Sequence, residues 1–203
     1  MINPIYAETL FNYLYANING YDISSASRPK TTSSKDLLYG EIPFATWKKI
    51  VEQANPKDGA IFFDLGSGTG RVVIESHLLF NFRKSIGIEL VKGLHDKACE
   101  IAETFTKIIK PQINDSITNR ELLFINDNIL NVDIYEADFI LLPHPFKSEN
   151  DFLALEERFL KQLKPKTKIV TFIRPLRNRR FKGFGGTLYN FSWGKSTAYF
   201  FEV

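Results

Sequence analysis

Three carboxylates close apolar runs in this sequence, and the first is followed by a glycine-rich loop. Asp64 ends the run "AIFFD", and "LGSGTG" then sets Gly66, Gly68 and Gly70 at alternate positions ahead of a helical pattern starting at Arg71. Glu89 falls in "SIGIEL" and Asp127 in "LLFINDNI". Glycines so spaced permit positive φ and leave no Cβ between the backbone and a ligand. Three acids after three consecutive strands supply hydrogen-bond acceptors and negative charge around that loop. The single cysteine, Cys99, offers neither an intramolecular disulfide nor a metal framework, and no metal site is expected.

The elements that must position these residues follow from pattern. Strands are expected at Ile61–Leu65, Ser85–Leu90, Leu122–Asp127, Phe139–Leu142 and Ile169–Ile173, and helices at Arg71–Phe80, Val91–Ile109 and Asn150–Leu163. Apolar strands alternating with amphipathic helices imply βαβ units and a parallel sheet. The end, "GTLYNFSWGKSTAYFFEV", reads as two aromatic alternating runs about a Gly-Lys turn, an antiparallel hairpin. Ahead of the glycine loop, "PIYAETLFNYLYANI" reads as a helix with Ile5, Thr9 and Tyr13, or Leu10 and Leu14, on one face. Ser24–Asp36 reads as a mobile polar loop, and "IPFATWKKIVEQA" as a second helix. Residues 1–58 are thus expected to form an N-terminal helical segment with a lid loop, and 59–203 one compact core.

In open α/β sheets, ligands bind beyond the carboxyl ends of the strands near the switch point. Dinucleotide folds show G-x-G-x-x-G with a pyrophosphate at the helix N-terminus. Here the spacing is G-x-G-x-G, Arg71 takes the place of that third glycine, and Asp64 stands two residues before the first glycine. A carboxylate there repels a pyrophosphate and suits a positively charged cofactor. S-adenosylmethionine, with its sulfonium and amino groups, fits. Glu89 is placed to accept from both ribose hydroxyls. Asp127 is placed to accept from an adenine amino group, with Asn128 or Ile129 flanking the base. The candidate cofactor-binding residues of this region are Asp64, Gly66, Ser67, Gly68, Gly70, Glu89, Asp127, Asn128 and Ile129.

The composition, 44% hydrophobic and 24% charged, is that of an ordinary globular protein of 203 residues. No signal peptide or membrane span is read, which leads to an intracellular, cytoplasmic expectation. Charge is uneven. Residues 164–203 carry 9 Lys/Arg against 1 acid, densest in "RPLRNRRFK", Arg174 to Lys182. That segment could steer the protein to an acidic or nucleic-acid-associated partner, or be a solvated loop. Oligomeric state is not readable.

The order of elements resembles the class I methyltransferases, whose Rossmann-like, mostly parallel seven-stranded sheet has helices on both faces and a C-terminal antiparallel hairpin. Three further stretches are similar to the non-SET histone-lysine methyltransferases of the disruptor-of-telomeric-silencing type. "LLYGEIPF" is similar to that family's Tyr-Gly-Glu segment. "ADFILLPHPF" falls where the family has an acidic strand ending in Asn-Asn-Phe. "KIVTFIRPLRNRRF" with "FSWGKSTAYFFE" is similar to its last core strand and its Ser-Trp…Tyr hairpin. The resemblance spans Ser27 to Val203. It implies that Tyr39, Gly40 and Glu41 close over the cofactor, and that Tyr199 lines a channel for a lysine side chain of a protein substrate. By the same resemblance, Pro143 and His144 stand where the family has paired asparagines at the reaction site, and Phe146 is expected to supply an aromatic wall.

A lysine acceptor must lose a proton from an unperturbed pKa of ~10.4, and desolvation in a channel lowers that value. Positioning then suffices without a dedicated base. His144 could accept a proton or be structural; His77 and His95 receive no role. "PHPF" has a second reading as a variant of the Asn/Asp-Pro-Pro-aromatic segment of nucleobase and amide methyltransferases, though Pro143 stands in the polar position. RNA or DNA methylation and a non-catalytic cofactor-binding module are the alternatives.

Overall fold

The computed structural model describes residues 2–28, 39–113, 119–143 and 148–203. Seven strands form one sheet: β1 Ile61–Leu65, β2 Lys84–Ile88, β3 Glu121–Ile125, β4 Phe139–Leu142, β5 Lys168–Phe172, β6 Lys182–Phe191 and β7 Gly194–Glu202. Their order is β3-β2-β1-β4-β5-β7-β6. β1 to β5 run parallel, and β7 lies antiparallel between β5 and β6. Every residue of β1 is buried, as its unbroken apolar run requires of a central strand covered on both faces. Asp64 pairs with Gly87 on one side and with Leu141 on the other, so β1 and β4 flank the switch point.

Among the described residues, six α-helices surround the sheet: α1 Pro4–Tyr15, α2 Gly20–Ser27, α3 Phe44–Ala54, α4 Arg71–Leu79, α5 Lys92–Thr104 and α6 Glu149–Gln162. On one face, Phe152, Leu155 and Phe159 of α6 pack on Ile61, Phe63, Ile140 and Ile169. On the other, Trp47 of α3 lies against the rings of Phe62 and Phe139, 5.6 and 6.0 Å between centroids. Its indole N–H donates to Ser76 Oγ of α4 at 2.8 Å, which satisfies the one polar atom that its burial would strand. α1 forms an outer layer, burying Ala7, Phe11, Leu14 and Tyr15 against α4 and α5.

Several sequence expectations shift. The buried face of α1 is Ala7-Phe11-Leu14-Tyr15, whereas Ile5 and Tyr13 are exposed. Ser24–Ser27, assigned to a mobile loop, complete α2, with Ser24 fully buried; residues 29–36 of that loop lie outside the described residues. The Val91–Ile109 helix divides into α5 and a π-helical turn, Phe105–Ile109, that keeps both Phe105 and Ile109 buried. The hairpin turn falls at Ser192-Trp193, two residues before Gly194-Lys195, because Phe191 pairs with Gly194. β6 also begins earlier than the aromatic pattern, through a glycine-rich stretch with an irregularity between Gly183 and Gly185.

Candidate active site

A cavity of about 420 Å³ opens beyond the carboxyl ends of β1, β2 and β4. Its floor is the loop after β1. Gly66 and Gly68 adopt φ of +107° and +55°, conformations that leave this loop to glycine. The loop is fixed from below: the N–H groups of Gly66 and Ser67 both donate to Ile88 O, at 2.8 and 3.0 Å. Glu89 fixes it from the side. Its Oε2 accepts from Gly68 N at 2.8 Å, and its Oε1 from Val91 N at 2.8 Å. Burial raises the Glu89 pKa, and these backbone hydrogen bonds oppose the rise. A carboxylate has about four acceptor positions, so both oxygens keep capacity for a ligand's hydroxyls.

Asp64 is 2% exposed and lines the same cavity, and its Oδ1 has no hydrogen-bond partner among the described residues. Burial pushes its carboxyl well above the ordinary range, and the nearby Glu89 carboxylate pushes it further. A buried oxygen without a donor costs on the order of 1–3 kcal/mol, so this site suits a ligand bringing a cationic donor. Apolar walls come from Leu90, Val91, Leu94, Ile129 and Leu141.

The segment Tyr39–Glu41 covers the loop. Tyr39 OH donates to Glu41 Oε1 at 2.9 Å and lies 3.0 Å from Thr69 Oγ1. Its ring sits where a Cβ on Gly68 would come within 2.7 Å of it. Gly40 is in turn packed under the Trp193 indole, leaving no room for a side chain. Ser192 Oγ accepts from both Glu41 N, at 2.7 Å, and Tyr21 OH, at 2.6 Å. The β6–β7 turn, α2 and the Tyr-Gly-Glu segment are therefore joined at one hydroxyl.

At the mouth stand Pro143, Ile173 and Trp193. Trp193 stacks on Phe191 with centroids 4.5 Å apart, and Phe191 leans on Phe172. Ile173 holds φ +66°, a strained conformation for a β-branched residue. Thr171 Oγ1 donates to Arg174 O across this bend at 2.8 Å.

Thus Tyr39, Gly40, Glu41, Asp64, Gly66, Ser67, Gly68, Glu89, Asn128, Ile129 and Pro143 meet around one cavity. Three expected residues lie off it. Asp127 stands two residues past β3, and its Oδ1 accepts from Asn128 N at 2.6 Å and Asn131 Nδ2 at 2.9 Å, holding its own turn. Gly70, at φ +80°, is the N-cap of α4 and packs against Phe124 and Ala98. Tyr199 sits within β7 opposite Thr171 and packs into the core on the α6 side. His144 and Phe146 lie outside the described residues. Sequence reasoning missed Arg71, Leu90, Ile173 and Trp193. Arg71 had announced itself only as the residue in place of a third glycine.

The basic segment is partly neutralised within the fold. Arg174 and Arg177 both pair with Glu149 of α6, while Arg179 and Arg180 are exposed. Among the described residues, no helix is long and apolar enough to cross a membrane, and no cluster of three or more His, Cys, Asp or Glu could hold a metal.

The family model for histone methylation protein DOT1 matches residues 23–184. The "Histone-lysine N-methyltransferase, H3 lysine-79 specific" of Eremothecium gossypii is 26% identical over 162 residues, covering 75% of this chain and 26% of that protein. The "Protein-lysine N-methyltransferase" of Saccharolobus islandicus is 29% identical over 133 residues, covering 66% of this chain and 74% of that protein. The chain therefore spans only 26% of the length of the first and 74% of the second. An RNA methyltransferase from Salinibacter ruber, solved in complex with S-adenosyl-L-homocysteine, superposes with a TM-score of 0.59 at 22% identity. That match covers 79% of this chain and 92% of the other, and it shows the class I methyltransferase fold. With the family match extending over most of its length, the chain belongs to the histone methylation protein DOT1 family.

Proposed function

We propose that this protein is an S-adenosylmethionine-dependent protein-lysine N-methyltransferase. The observation that carries the reading is the buried Asp64 carboxyl, whose Oδ1 has no hydrogen-bond partner among the described residues, at the wall of a glycine-floored, apolar-walled cavity beside Glu89. The names of the relatives, histone- and protein-lysine methyltransferases, support the acceptor class.

In this reading Asp64 receives the cofactor's ammonium, Glu89 the ribose hydroxyls, and Leu90, Asn128 and Ile129 the base. Gly66, Ser67 and Gly68 bring backbone against it, and Tyr39, Gly40 and Glu41 close over it. The cofactor, when bound, supplies a methyl group on a sulfonium. The chain's own task is to present an uncharged amine to it. Pro143, Ile173 and Trp193 give the mouth apolar surface against which an entering lysine side chain would be desolvated, penalising its ammonium form and aligning the amine. Residues 1–58 act as the N-terminal segment and lid of the core at 59–203. The acceptor is a lysine-bearing protein, and the exposed Arg179 and Arg180 favour an acidic or nucleic-acid-associated one.

The test is labelling of separate protein and RNA pools with radiolabelled S-adenosylmethionine, each then treated with protease or nuclease. Protease-sensitive label is the expected result. Label only in nuclease-sensitive material would transfer the acceptor to nucleic acid, and cofactor binding without any transfer would leave a binding module.

A further inference from the structure

Resting on that reading of the mouth, we infer that β6 is the docking strand for the acceptor. An extended segment of the substrate protein adds to its free edge as an eighth strand and delivers a lysine, a few residues beyond the paired stretch, to the cavity.

β6 ends the sheet on one side and is exposed from Lys182 to Gly186, then again at Leu188 and Asn190. A sheet edge presents unpaired N–H and C=O groups, and proteins blunt it with charge, proline, shortness or bulges. The opposite edge, β3, is five residues long and begins on Glu121. β6 is irregular only near its start, between Gly183 and Gly185. From Gly185 to Phe191 it carries neither charge nor proline, and the apolar Leu188 stands 61% exposed.

The outward backbone groups can be placed. Asn190 O accepts from Thr46 Oγ1 of α3 at 3.1 Å, a partner outside the sheet. Alternate residues of a strand face the same way, so the backbone groups of Leu188 and Gly186 also point outward. Among the described residues, nothing outside the sheet bonds to them. An incoming strand therefore pairs at Gly186 and Leu188, and it leaves the edge where Thr46 closes it.

That exit lies beside the mouth. Leu188 pairs with Thr197, whose carbonyl accepts from Ile173 N at 3.4 Å, so the three residues form one row across the hairpin. At a strand spacing of ~4.8 Å, an added strand lies about 14 Å from Ile173, and roughly four extended residues span that gap. Past Asn190, β6 runs into the turn that carries Trp193, another apolar residue of the mouth.

A second copy of this chain fits the edge less well. β6 carries Lys182 and no acid, and Lys195 is exposed beside the turn. Antiparallel self-pairing would bring Lys182 of each copy toward Lys195 of the other, a like-charge arrangement. An acceptor segment with an acid at its far end, against Lys182, is favoured instead.

The test is methyl transfer from labelled S-adenosylmethionine into native ribonuclease A and into the same protein reduced and carboxymethylated, an unfolded lysine-bearing probe. Wild type, Leu188→Pro and Leu188→Thr are compared. Proline removes an outward N–H that β7 does not use, so the sheet keeps its own ladder, and threonine retains that N–H. Wild type should label the unfolded probe at least tenfold faster than the native one. Leu188→Pro should raise the KM for the unfolded probe about three- to tenfold, leaving kcat and the cofactor dissociation constant near wild type. Leu188→Thr should raise it less. Equal labelling of native and unfolded probe, or an unchanged KM in Leu188→Pro, would overturn the inference. So would a wild-type dimer that Leu188→Pro splits without moving the KM, which would give the edge to a second copy. Methyllysine formed in histones or soluble protein but not in the unfolded probe overturns the inference alone; methyllysine in no protein pool overturns the underlying reading too. Should Leu188→Pro fail to fold, wild type decides with two competitors, a Thr-Val repeat peptide flanked by glutamates and the same peptide N-methylated on alternate amides. Stronger competition by the unmethylated peptide supports strand addition, and equal competition contradicts it.

Discussion

Gly68 donates its backbone N–H to Glu89 Oε2 at 2.8 Å, so one carboxylate both ties the glycine loop to the end of β2 and faces the cavity. Replacing Glu89 by alanine removes two backbone partners along with the proposed ribose contact. Hydrogen bonds to a charged group contribute about 1.5–3 kcal/mol, so cofactor affinity should fall at least tenfold. Glu89→Gln keeps one acceptor oxygen and should lose less. Titration calorimetry checks both, and an unchanged dissociation constant for Glu89→Ala would refute the ribose assignment.

Asp64 makes the site sensitive to pH. Its folded-state pKa is raised, so it favours folding at pH values below the unfolded carboxylate pKa, and that contribution is lost as pH rises through the raised value. Asp64→Asn removes the penalty. Without cofactor, the variant should melt at or above the wild-type temperature at neutral pH, with the difference shrinking on acidification. Cofactor affinity should move the other way, rising with pH in wild type as Asp64 ionises, and staying flatter in Asp64→Asn. Melting curves and titrations across pH 4–8 would read both trends, on the ordinary carboxylate and histidine scale.

Ser192 accepts two hydrogen bonds that join α2, Glu41 and the β6–β7 turn. Ser192→Ala breaks both at an exposed position, where the net loss is about 0.5–1.5 kcal/mol per bond. The lid segment should open more often, the cofactor dissociation rate should rise severalfold, and the melting temperature should fall by a few degrees. Stopped-flow displacement measures the rate; a wild-type value would separate the hairpin turn from cofactor retention.

Ile173 occupies left-handed backbone space at the mouth. Relief of strain should make Ile173→Gly more stable than Ile173→Ala by about 1 kcal/mol, since only glycine sits there freely. Both variants thin the apolar wall, so turnover should fall while cofactor affinity holds. Chemical denaturation and steady-state kinetics test these two parts independently.

The legible parts of this molecule were those written locally in the chain. The run Ile61–Leu65 announced a strand buried on both faces. The glycines after Asp64, and an acid closing the next strand, announced a ligand site at the switch point. What could not be read was set by tertiary packing. Asp127 also follows an apolar strand, but two residues past its end, and its carboxylate turns back to Asn128 and Asn131 instead of facing the cavity. Trp193 reaches the cavity because the hairpin turns at Ser192-Trp193, two residues earlier than Gly194 suggested. Tyr199, one strand position after Ala198, faces the α6 side of the sheet, and its place depends on a β5–β7 register that the sequence does not state. The Arg71 guanidinium lies over the Phe11 and Tyr15 rings of α1, a contact between segments far apart in sequence that no local pattern announces.

The most direct measurement is methyl transfer from labelled S-adenosylmethionine into soluble protein and core histones, followed by acid hydrolysis and amino-acid analysis, with Glu89→Ala run in parallel. The account predicts labelled methyllysine with the wild-type protein and a large reduction with Glu89→Ala. Label confined to nucleotides, or methyllysine formed equally by both proteins, would contradict it.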